Sequence, residues 1–390
     1  MPPACAAGSG VALGDPRWQC AIPELNLGLR SEPPDTALPA LPQLTDPVKA
    51  CALLQGGLAA GAPVLRGLRL AGCTPRLLRY HPGSRCTIAY GLRYGPDAPP
   101  GWPDQVIAKA YADDQAGAAW TAMRVLWRST LADHPMVALA EPLAWLAPLR
   151  VVVQRWLPGM QPLDRLVRAS VTADAPAAAD ALEPAVRAAA EALAALHHTD
   201  VRHGPEVSLL DELAATRATL AQLARLTPGP DTWAAPLLDR IAGDAAALPA
   251  NPARPAHRSF HPAQLLLDPA RQRVGIIDFD GLCMAEPALD VARFRAALRY
   301  LGRQRPRGAD PATGQRDPDL PDRLDRIADA FLDQYQTVAP VSRARVWLWE
   351  TLDLFGYVLH CWTKARPHRA RDTVQLLRRH LDAGRAARPT

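Results

Sequence analysis

Several signals that would decide the class of this chain at once are missing. The seven cysteines, Cys5, Cys20, Cys51, Cys73, Cys86, Cys283 and Cys361, are odd in number and no two have Cys-x-x-Cys spacing. This argues against a disulfide scaffold or a closed zinc site, and predicts free thiols in a reducing cytoplasm. Met1-Pro2-Pro3-Ala4-Cys5 lacks the basic start and apolar run of a secretory signal. No block of like charge stands out: the net charge is +5 over 390 residues, with arginines interleaved among Asp and Glu. No nucleic-acid partner is therefore expected. The locally basic stretch Arg378-Arg379-His380 to Arg385 and Arg388 reads as a solvated helix face. The most apolar segment, Val346 to Trp362, contains Glu350, Asp353 and His360 and is too short and too charged for a membrane span. It reads as a buried amphipathic helix, and no membrane partner is expected. No internal repeat and no dense acidic patch is visible.

What is present is an ordered change of pattern. Residues 1–45 form a Pro/Gly/Ala-rich leader without sustained period, a composition compatible with partial disorder. Asp46-Pro47 starts a helix that the glycines at Gly56-Gly57 are expected to end. A strand-rich region follows, with a hairpin of Leu77–Tyr80 and Cys86–Tyr94 around the turn His81-Pro82-Gly83-Ser84. Period two puts Cys86, Ile88, Tyr90, Leu92 and Tyr94 on one face, and the small residues Thr87, Ala89 and Gly91 on the other. A flat ring can pack against such a small-residue face; an ordinary half-buried strand is the plainer reading. Gln105–Tyr111 is a third strand carrying Lys109, and Asp113-Asp114 precedes a helix from Gln115 to about Trp127. Strands are also expected over Ala138–Trp145 and Arg150–Trp156, before Leu157-Pro158-Gly159 ends the sheet region.

From about residue 162 the pattern is helical, including Ala181–His197 with Pro184 near its start, where a helix tolerates it. Two short strands, Leu265–Leu267 and Val274–Ile277, flank the turn Asp268-Pro269-Ala270. Helices resume at Ala288, and a Pro/Gly/charge-rich loop spans 302–321. The expected architecture is α+β: an antiparallel-sheet lobe over 46–156 and a larger helical lobe over 157–390, with a ligand cleft between them.

The chemistry concentrates at His257-Arg258-Ser259-Phe260-His261-Pro262-Ala263-Gln264 and Ile276-Ile277-Asp278-Phe279-Asp280. A carboxylate ending a short apolar strand, as Asp278 does, is placed to hold an ion; capping a turn is its plainer role. The spacing of His257 and His261 is i, i+4, but Pro262 and the lack of a Glu after His257 exclude a metalloprotease helix. Trp347, Trp349, Tyr357 and Trp362 suit helix-core packing better than a pocket for a cation.

These segments resemble the catalytic and metal-binding loops of the aminoglycoside phosphotransferase and choline-kinase-like family, His-Gly-Asp-x-His-x-x-Asn followed by Ile-Asp-Phe or Ile-Asp-Trp. Glu286-Pro287-Ala288-Leu289-Asp290-Val291-Ala292, Leu193-Ala194-Ala195-Leu196-His197 and Arg155-Trp156-Leu157-Pro158-Gly159 are similar to flanking motifs of the same family. The resemblance covers about residues 75–385, weakly in the first lobe and well at 257–292. It implies a two-lobed protein-kinase-like fold, ATP and Mg²⁺ as cofactors, and transfer of the γ-phosphoryl group to a small-molecule hydroxyl.

Residue by residue, the resemblance puts Asp278 and Gln264 on Mg²⁺, with Gln264 standing for the family's Asn. Lys109 falls on the α- and β-phosphates. Gly83, Ser84 and Arg85 fall in the phosphate-covering hairpin, Ala89 beneath the adenine, and Gln154, Arg155 and Trp156 in the hinge. Asp290 braces the loop. Two departures stand out. Ser259 occupies the place of the catalytic aspartate, and a serine hydroxyl is no base near neutral pH. His257 and His261 flank it, and the imidazole of His261 is a possible substitute base. No Glu occurs between Lys109 and Glu141, so the usual partner of the lysine is absent or replaced by Asp113, Asp114 or Gln115. The hairpin also has no Gly-x-Gly-x-x-Gly. Beside the kinase reading stands a pseudokinase that binds a nucleotide or metabolite and acts through a protein partner.

Overall fold

The computed structural model describes residues 19–22, 27–30, 35–171, 176–226, 230–268, 270, 273–302, 319–364 and 367–386. The elements begin with an antiparallel hairpin, β1 (Gln19–Ile22) and β2 (Leu27–Arg30). Helices α1 (Leu41–Thr45) and α2 (Pro47–Gly61) precede strands β3 (Leu70–His81), β4 (Arg85–Tyr94) and β5 (Gln105–Tyr111). Helix α3 (Gln115–Trp127), strands β6 (Val137–Leu139), β7 (Pro142–Leu146) and β8 (Val151–Arg155) follow. Next come β9 (Gln161–Pro162), α4 (Leu163–Ser170), α5 (Pro176–His197), β10 (Glu206–Val207), α6 (Leu209–Ala224) and α7 (Pro230–Ala247). The site region is β11 (Arg254–Ala256), β12 (Leu265–Asp268), β13 (Arg273–Ile276) and β14 (Cys283–Ala285). Helices α8 (Ala288–Gly302), α9 (Leu320–Val338), α10 (Arg343–Thr363) and α11 (Pro367–Ala386) complete the chain. None of the described helices is long and apolar enough to cross a membrane.

Packing divides the chain into two units, Met1–Gly117 with Leu143–Trp156, and Ala118–Pro142 with Leu157–Thr390. The first is built on a five-stranded sheet in the order β3-β4-β5-β8-β7. The period-two expectation for β4 holds: Cys86, Ile88, Tyr90 and Leu92 lie in one core with Val106, Ala108, Val151 and Val153. Leu38, Ala40 and Leu44 belong to that core too, so residues 35–45 of the leader are folded. The leader's residues 1–18, 23–26 and 31–34 lie outside the described residues.

Asp46 caps α2 by accepting from the backbone N–H groups of Val48 and Lys49. The helix does not stop at Gly56-Gly57. Gly57 serves close approach instead, as does Gly61 at the end of the helix: a Cβ on Gly57 would lie 2.4 Å from Leu146 Cδ2, and one on Gly61 2.2 Å from the Leu143 carbonyl oxygen. The strand expected over Ala138–Trp145 divides into β6 and β7. Pro142 opens the second piece, because a residue without an N–H cannot continue a ladder on both sides.

The second unit carries two small sheets among helices, β6-β13-β12-β9 and β10-β14-β11. Its core runs through α5, α8, α9 and α10. Helix α5 begins earlier than the sequence suggests, so Pro184 lies inside it. Burial of Leu182, Val186, Ala189, Ala190 and Leu193 along one stripe outweighs the hydrogen bond lost at the proline. The C-terminal basic stretch is less solvated than its composition implies: His380 is buried, and Arg379 pairs with Asp322 and Asp325. Residues 303–318, most of the expected loop, lie outside the described residues, as do Pro269 and Arg388.

Gly204 is a point where both conformation and space demand glycine. Its φ is +83°, and a Cβ there would lie 2.1 Å from the Leu282 carbonyl oxygen. We expect Gly204→Ala to cost about 2–3 kcal/mol, since the left-handed backbone and a backbone clash add. Urea unfolding measures it; an unchanged midpoint would mean that the Leu282 segment yields without cost.

Candidate active site

Residues 257–264 link β11 to β12, and residues 277–282 link β13 to β14. Strands β12 and β13 pair antiparallel from Leu265↔Ile276 to Asp268↔Arg273, which brings the two links side by side. The links are knotted through one residue. Ile277 N–H donates to the Gln264 carbonyl at 3.1 Å, and the Ile277 carbonyl accepts from His257 Nε2 at 3.0 Å. Asp290, fully buried near the start of α8, accepts the backbone N–H of His257 through Oδ2 at 2.6 Å. The same oxygen lies 3.3 Å from His197 Nε2, whose Nδ1 meets the Tyr335 hydroxyl at 2.8 Å. Burial works to raise the Asp290 pKa; the His197 hydrogen bond and the neighbouring imidazoles outweigh it, and the carboxyl sits below its ordinary value. The bracing role read for Asp290 from the sequence is thus met by geometry.

Two non-glycine residues with positive φ shape the links, Arg258 at 63° and Asp278 at 71°. Such a turn costs about 1 kcal/mol or more and persists only where neighbours hold it. Arg258 is held on both sides: its Nε donates to Glu212 at 2.9 Å, and its carbonyl accepts from Arg293. Arg293 in turn pairs with Asp353 at 2.8 Å, and these carboxylates, outweighing the effect of burial, keep its pKa raised.

Gln264 Nε2 donates to Asp278 Oδ2 at 2.7 Å. An amide oxygen at this distance would face a carboxylate oxygen lone pair to lone pair, so the N–H orientation is the one the chemistry allows. Mg²⁺ prefers hard oxygens, one or two carboxylates with phosphates and waters making up the rest. Asp278 suits that donor set. Gln264 as observed aims the carboxylate, and offering Oε1 to an ion requires its amide to turn over. Among the described residues no group of three or more His, Cys, Asp or Glu is placed to hold an ion. A site completed by nucleotide phosphates needs none.

Ser259 Oγ lies 3.0 Å from His257 Nδ1. His261 opens the 3-10 turn Pro262–Gln264, its carbonyl accepting the Gln264 N–H at 2.8 Å.

In the first unit, the register places Thr87, Lys109 and Val152 in one row and Ala89, Ile107 and Gln154 in the next. These rows form the sheet face opposite the core. Lys109, Ala89 and Gln154 are therefore brought to one surface, as the small-residue pattern of β4 suggested. The Lys109 ammonium lies 5.0 Å from the Tyr111 ring centroid. The substitutes considered for its glutamate partner have other contacts: Asp113 accepts from Gln115 N–H at 3.1 Å, and Asp114 pairs with Arg150 at 3.4 Å. Arg155 donates to the Gly101 carbonyl at 3.4 Å, and Trp156 N–H to the Gln105 carbonyl at 3.3 Å.

Gly83 has φ +71° and donates its N–H to Asp35 Oδ2 at 2.8 Å; the same oxygen accepts from the Tyr80 hydroxyl at 2.9 Å. The Gly83 bond leads in holding the Asp35 carboxyl below its ordinary pKa. Ser84 gives its carbonyl to Ala112 N–H at 2.8 Å, and Arg85 pairs in register with His81 and Tyr111.

Sequence reasoning missed Asp35 at the hairpin tip, Glu212 beside Arg258, and the contact of Ser259 with His257. No spacing rule links Asp35 to a turn 48 residues on, or Glu212 to Arg258. Of the α10 aromatics, Trp347, Trp349 and Tyr357 pack in or against the core, whereas Trp362, near the end of the helix, is exposed rather than packed as expected. Trp349 donates to buried Glu286, Tyr357 stacks on Tyr300 at 4.3 Å, and Trp347 stacks on His380 at 5.2 Å.

Among solved structures, a choline/ethanolamine kinase family protein from Mesorhizobium loti is similar with a TM-score of 0.53 at 16% identity, over 86% of this chain and 94% of that one. A choline kinase from Cryptosporidium parvum Iowa II gives 0.54 at 9% identity, over 86% and 95%. A glucosamine kinase gives 0.52 at 18% identity, over 86% and 100%. At such identities the likeness establishes a kinase-like fold, a small antiparallel-sheet unit and a larger helical one. No curated protein gives a significant sequence match. The model of the phosphotransferase enzyme family, APH, matches residues 97–327, more than half of the chain. With the fold, that match identifies the chain as a member of the phosphotransferase enzyme family.

Proposed function

We propose that the protein is an ATP-dependent phosphotransferase that moves the γ-phosphoryl group to a hydroxyl of a small molecule in the cytoplasm. The observation that carries this reading is the knot at Ile277, which fixes the Asp278 turn against the loop bearing Ser259. Phosphoryl transfer spreads negative charge over the phosphate oxygens, and catalysis is mostly positioning and electrostatic stabilisation. Bound Mg²⁺ would offset that charge, held by Asp278 with Gln264 as its brace or second ligand. Lys109 serves the phosphates, Ala89 and the hinge residues Gln154–Trp156 serve the adenine, and Gly83, Ser84 and Arg85 cover the phosphates. The acceptor hydroxyl approaches Ser259. Cys51, Cys73, Cys86, Cys283 and Cys361 are free thiols, which suits a reducing compartment.

The test is ADP release and product formation with Mg·ATP and a panel of acceptors. Choline, ethanolamine and glucosamine come first, since similar structures carry those names. Nucleotide binding is read separately by thermal shift. A nucleotide shift with acceptor-dependent turnover supports the reading. A shift without turnover favours the binding-only protein, and no shift with ATP or Mg·ATP sinks both. Lys109→Met is expected to raise the KM for ATP about ten- to a hundredfold, the loss of one charge-assisted contact. An unchanged KM would remove Lys109 from the phosphates.

A further inference from the structure

We propose that Ser259 and His257 act together as a proton relay in place of a catalytic carboxylate. The proposal rests on the phosphotransferase reading above. The tautomer of His257 is fixed by its neighbours: Nε2 lies 3.0 Å from the Ile277 carbonyl oxygen, which can only accept, so Nε2 carries the proton. Nδ1 is then a lone pair. It receives the Ser259 hydroxyl at 3.0 Å and the Ser259 N–H at 3.3 Å.

The Ser259 O–H is thus spent inward, and its oxygen lone pairs are left for another donor. Ser259 is half-buried, whereas His257 is fully buried. The ring is wedged between Phe260, 5.9 Å away edge-on, and Phe279 at 5.0 Å. The left-handed turn at Arg258 is what folds Ser259 back onto a ring only two residues earlier, and Arg293 and Glu212 hold that turn.

In the transfer step the acceptor oxygen bonds to the γ-phosphorus, the bond from γ-phosphorus to the bridging oxygen breaks, and ADP leaves. The acceptor proton passes to Ser259 Oγ while the serine's own proton passes to His257 Nδ1. The imidazolium so formed donates through Nε2 to Ile277 and lies beside the Asp290 carboxylate. It returns its proton through Ser259 to solvent. His261, the other candidate base, is not needed.

The probe is Mg·ATP, with water as the acceptor and then the hydroxyl panel, so the test does not depend on knowing the substrate. Ser259→Ala is expected to lower kcat about a hundredfold, the range of a lost general base, with ATP affinity unchanged. His257→Gln keeps an N–H for Ile277 and removes Nδ1; it should match Ser259→Ala and add nothing to it in the double variant. Ser259→Asp should restore turnover and make it insensitive to His257→Gln. A curved proton inventory in the native protein should become linear in Ser259→Asp. If His257→Gln does not fold, the inventory and the two Ser259 variants decide alone. Full activity in Ser259→Ala overturns the relay and leaves the phosphotransferase reading standing. Native protein that binds Mg·ATP but turns over with neither water nor the panel also overturns it. Absence of nucleotide binding overturns the phosphotransferase reading itself.

Discussion

Asp278→Asn should lower phosphoryl transfer about a thousandfold while leaving the fold intact. The size follows from removing a preorganised charge at the centre where charge develops. The fold should survive for two reasons. Asparagine is one of the few residues that tolerates the left-handed region where Asp278 sits, at φ 71°. Its carbonyl oxygen can also still accept the Gln264 N–H that now reaches Oδ2 at 2.7 Å. The variant therefore separates charge from shape, which Asp278→Ala would not. Steady-state turnover with Mg·ATP and a thermal melt are the two measurements. Turnover within tenfold of native with an unchanged melt would remove Asp278 from the metal role. Gln264→Ala should be milder, because it frees the carboxylate from its brace without removing it. A Gln264 effect as large as that of Asp278 would favour direct ligation by the amide.

Much of this site was legible because its signals are local. The alternation in β4, the apolar strand leading into Asp278 and the Pro287–Asp290 helix start are each set by neighbours within a few residues. Strand β5 spans Gln105–Tyr111 as read, and α3 spans Gln115–Trp127. The misjudged elements are those decided by packing at a distance. Gly56-Gly57 looks like a helix stop, but α2 runs on to Gly61 and Gly57 is a contact point for Leu146. Pro184 looks like a first-turn residue but is carried inside α5 by the core on one side of that helix. Ser259 was read as standing in the place of a carboxylate, and its contact with His257 was not foreseen. A contact between residues two apart depends on the backbone angle at Arg258, and no residue-type pattern announces a left-handed arginine. The same holds for Asp35, whose grip on the Gly83 turn depends on how the leader returns to the sheet.

Glu350→Ala should cost about 3–5 kcal/mol, a large stability loss for a side chain away from the site. Glu350 is almost wholly buried on α10, pairs with Arg295 at 3.0 Å and also pairs with Arg299. Both arginines reach it from α8, so its loss leaves two buried guanidinium groups whose remaining carboxylate partners are the outer Asp329 at 3.0 Å and Asp325 at 2.9 Å, with the Ala328 carbonyl also accepting from Arg295. Burial alone would raise the Glu350 pKa; Arg295 and Arg299 overcome it and hold the carboxyl at about 2. An unfolded glutamate takes its proton near 4.5, so between pH 4.5 and 2 the unfolded chain binds a proton that the native one refuses. Stability therefore falls as pH drops through that window. His380 adds an earlier limb of the same sign. Burial pushes its imidazole down to about 4 from 6.5, so acid first favours the unfolded chain between those values, by up to about 3 kcal/mol. Thermal melts from pH 7 to 3 should show a two-stage decline. His380→Gln should flatten the stage above pH 4 and leave the lower one in place. A native protein whose melting temperature holds constant from pH 7 to 4 would mean that His380 takes up its proton at the same pH folded as unfolded, with Glu350 offsetting the effect of burial.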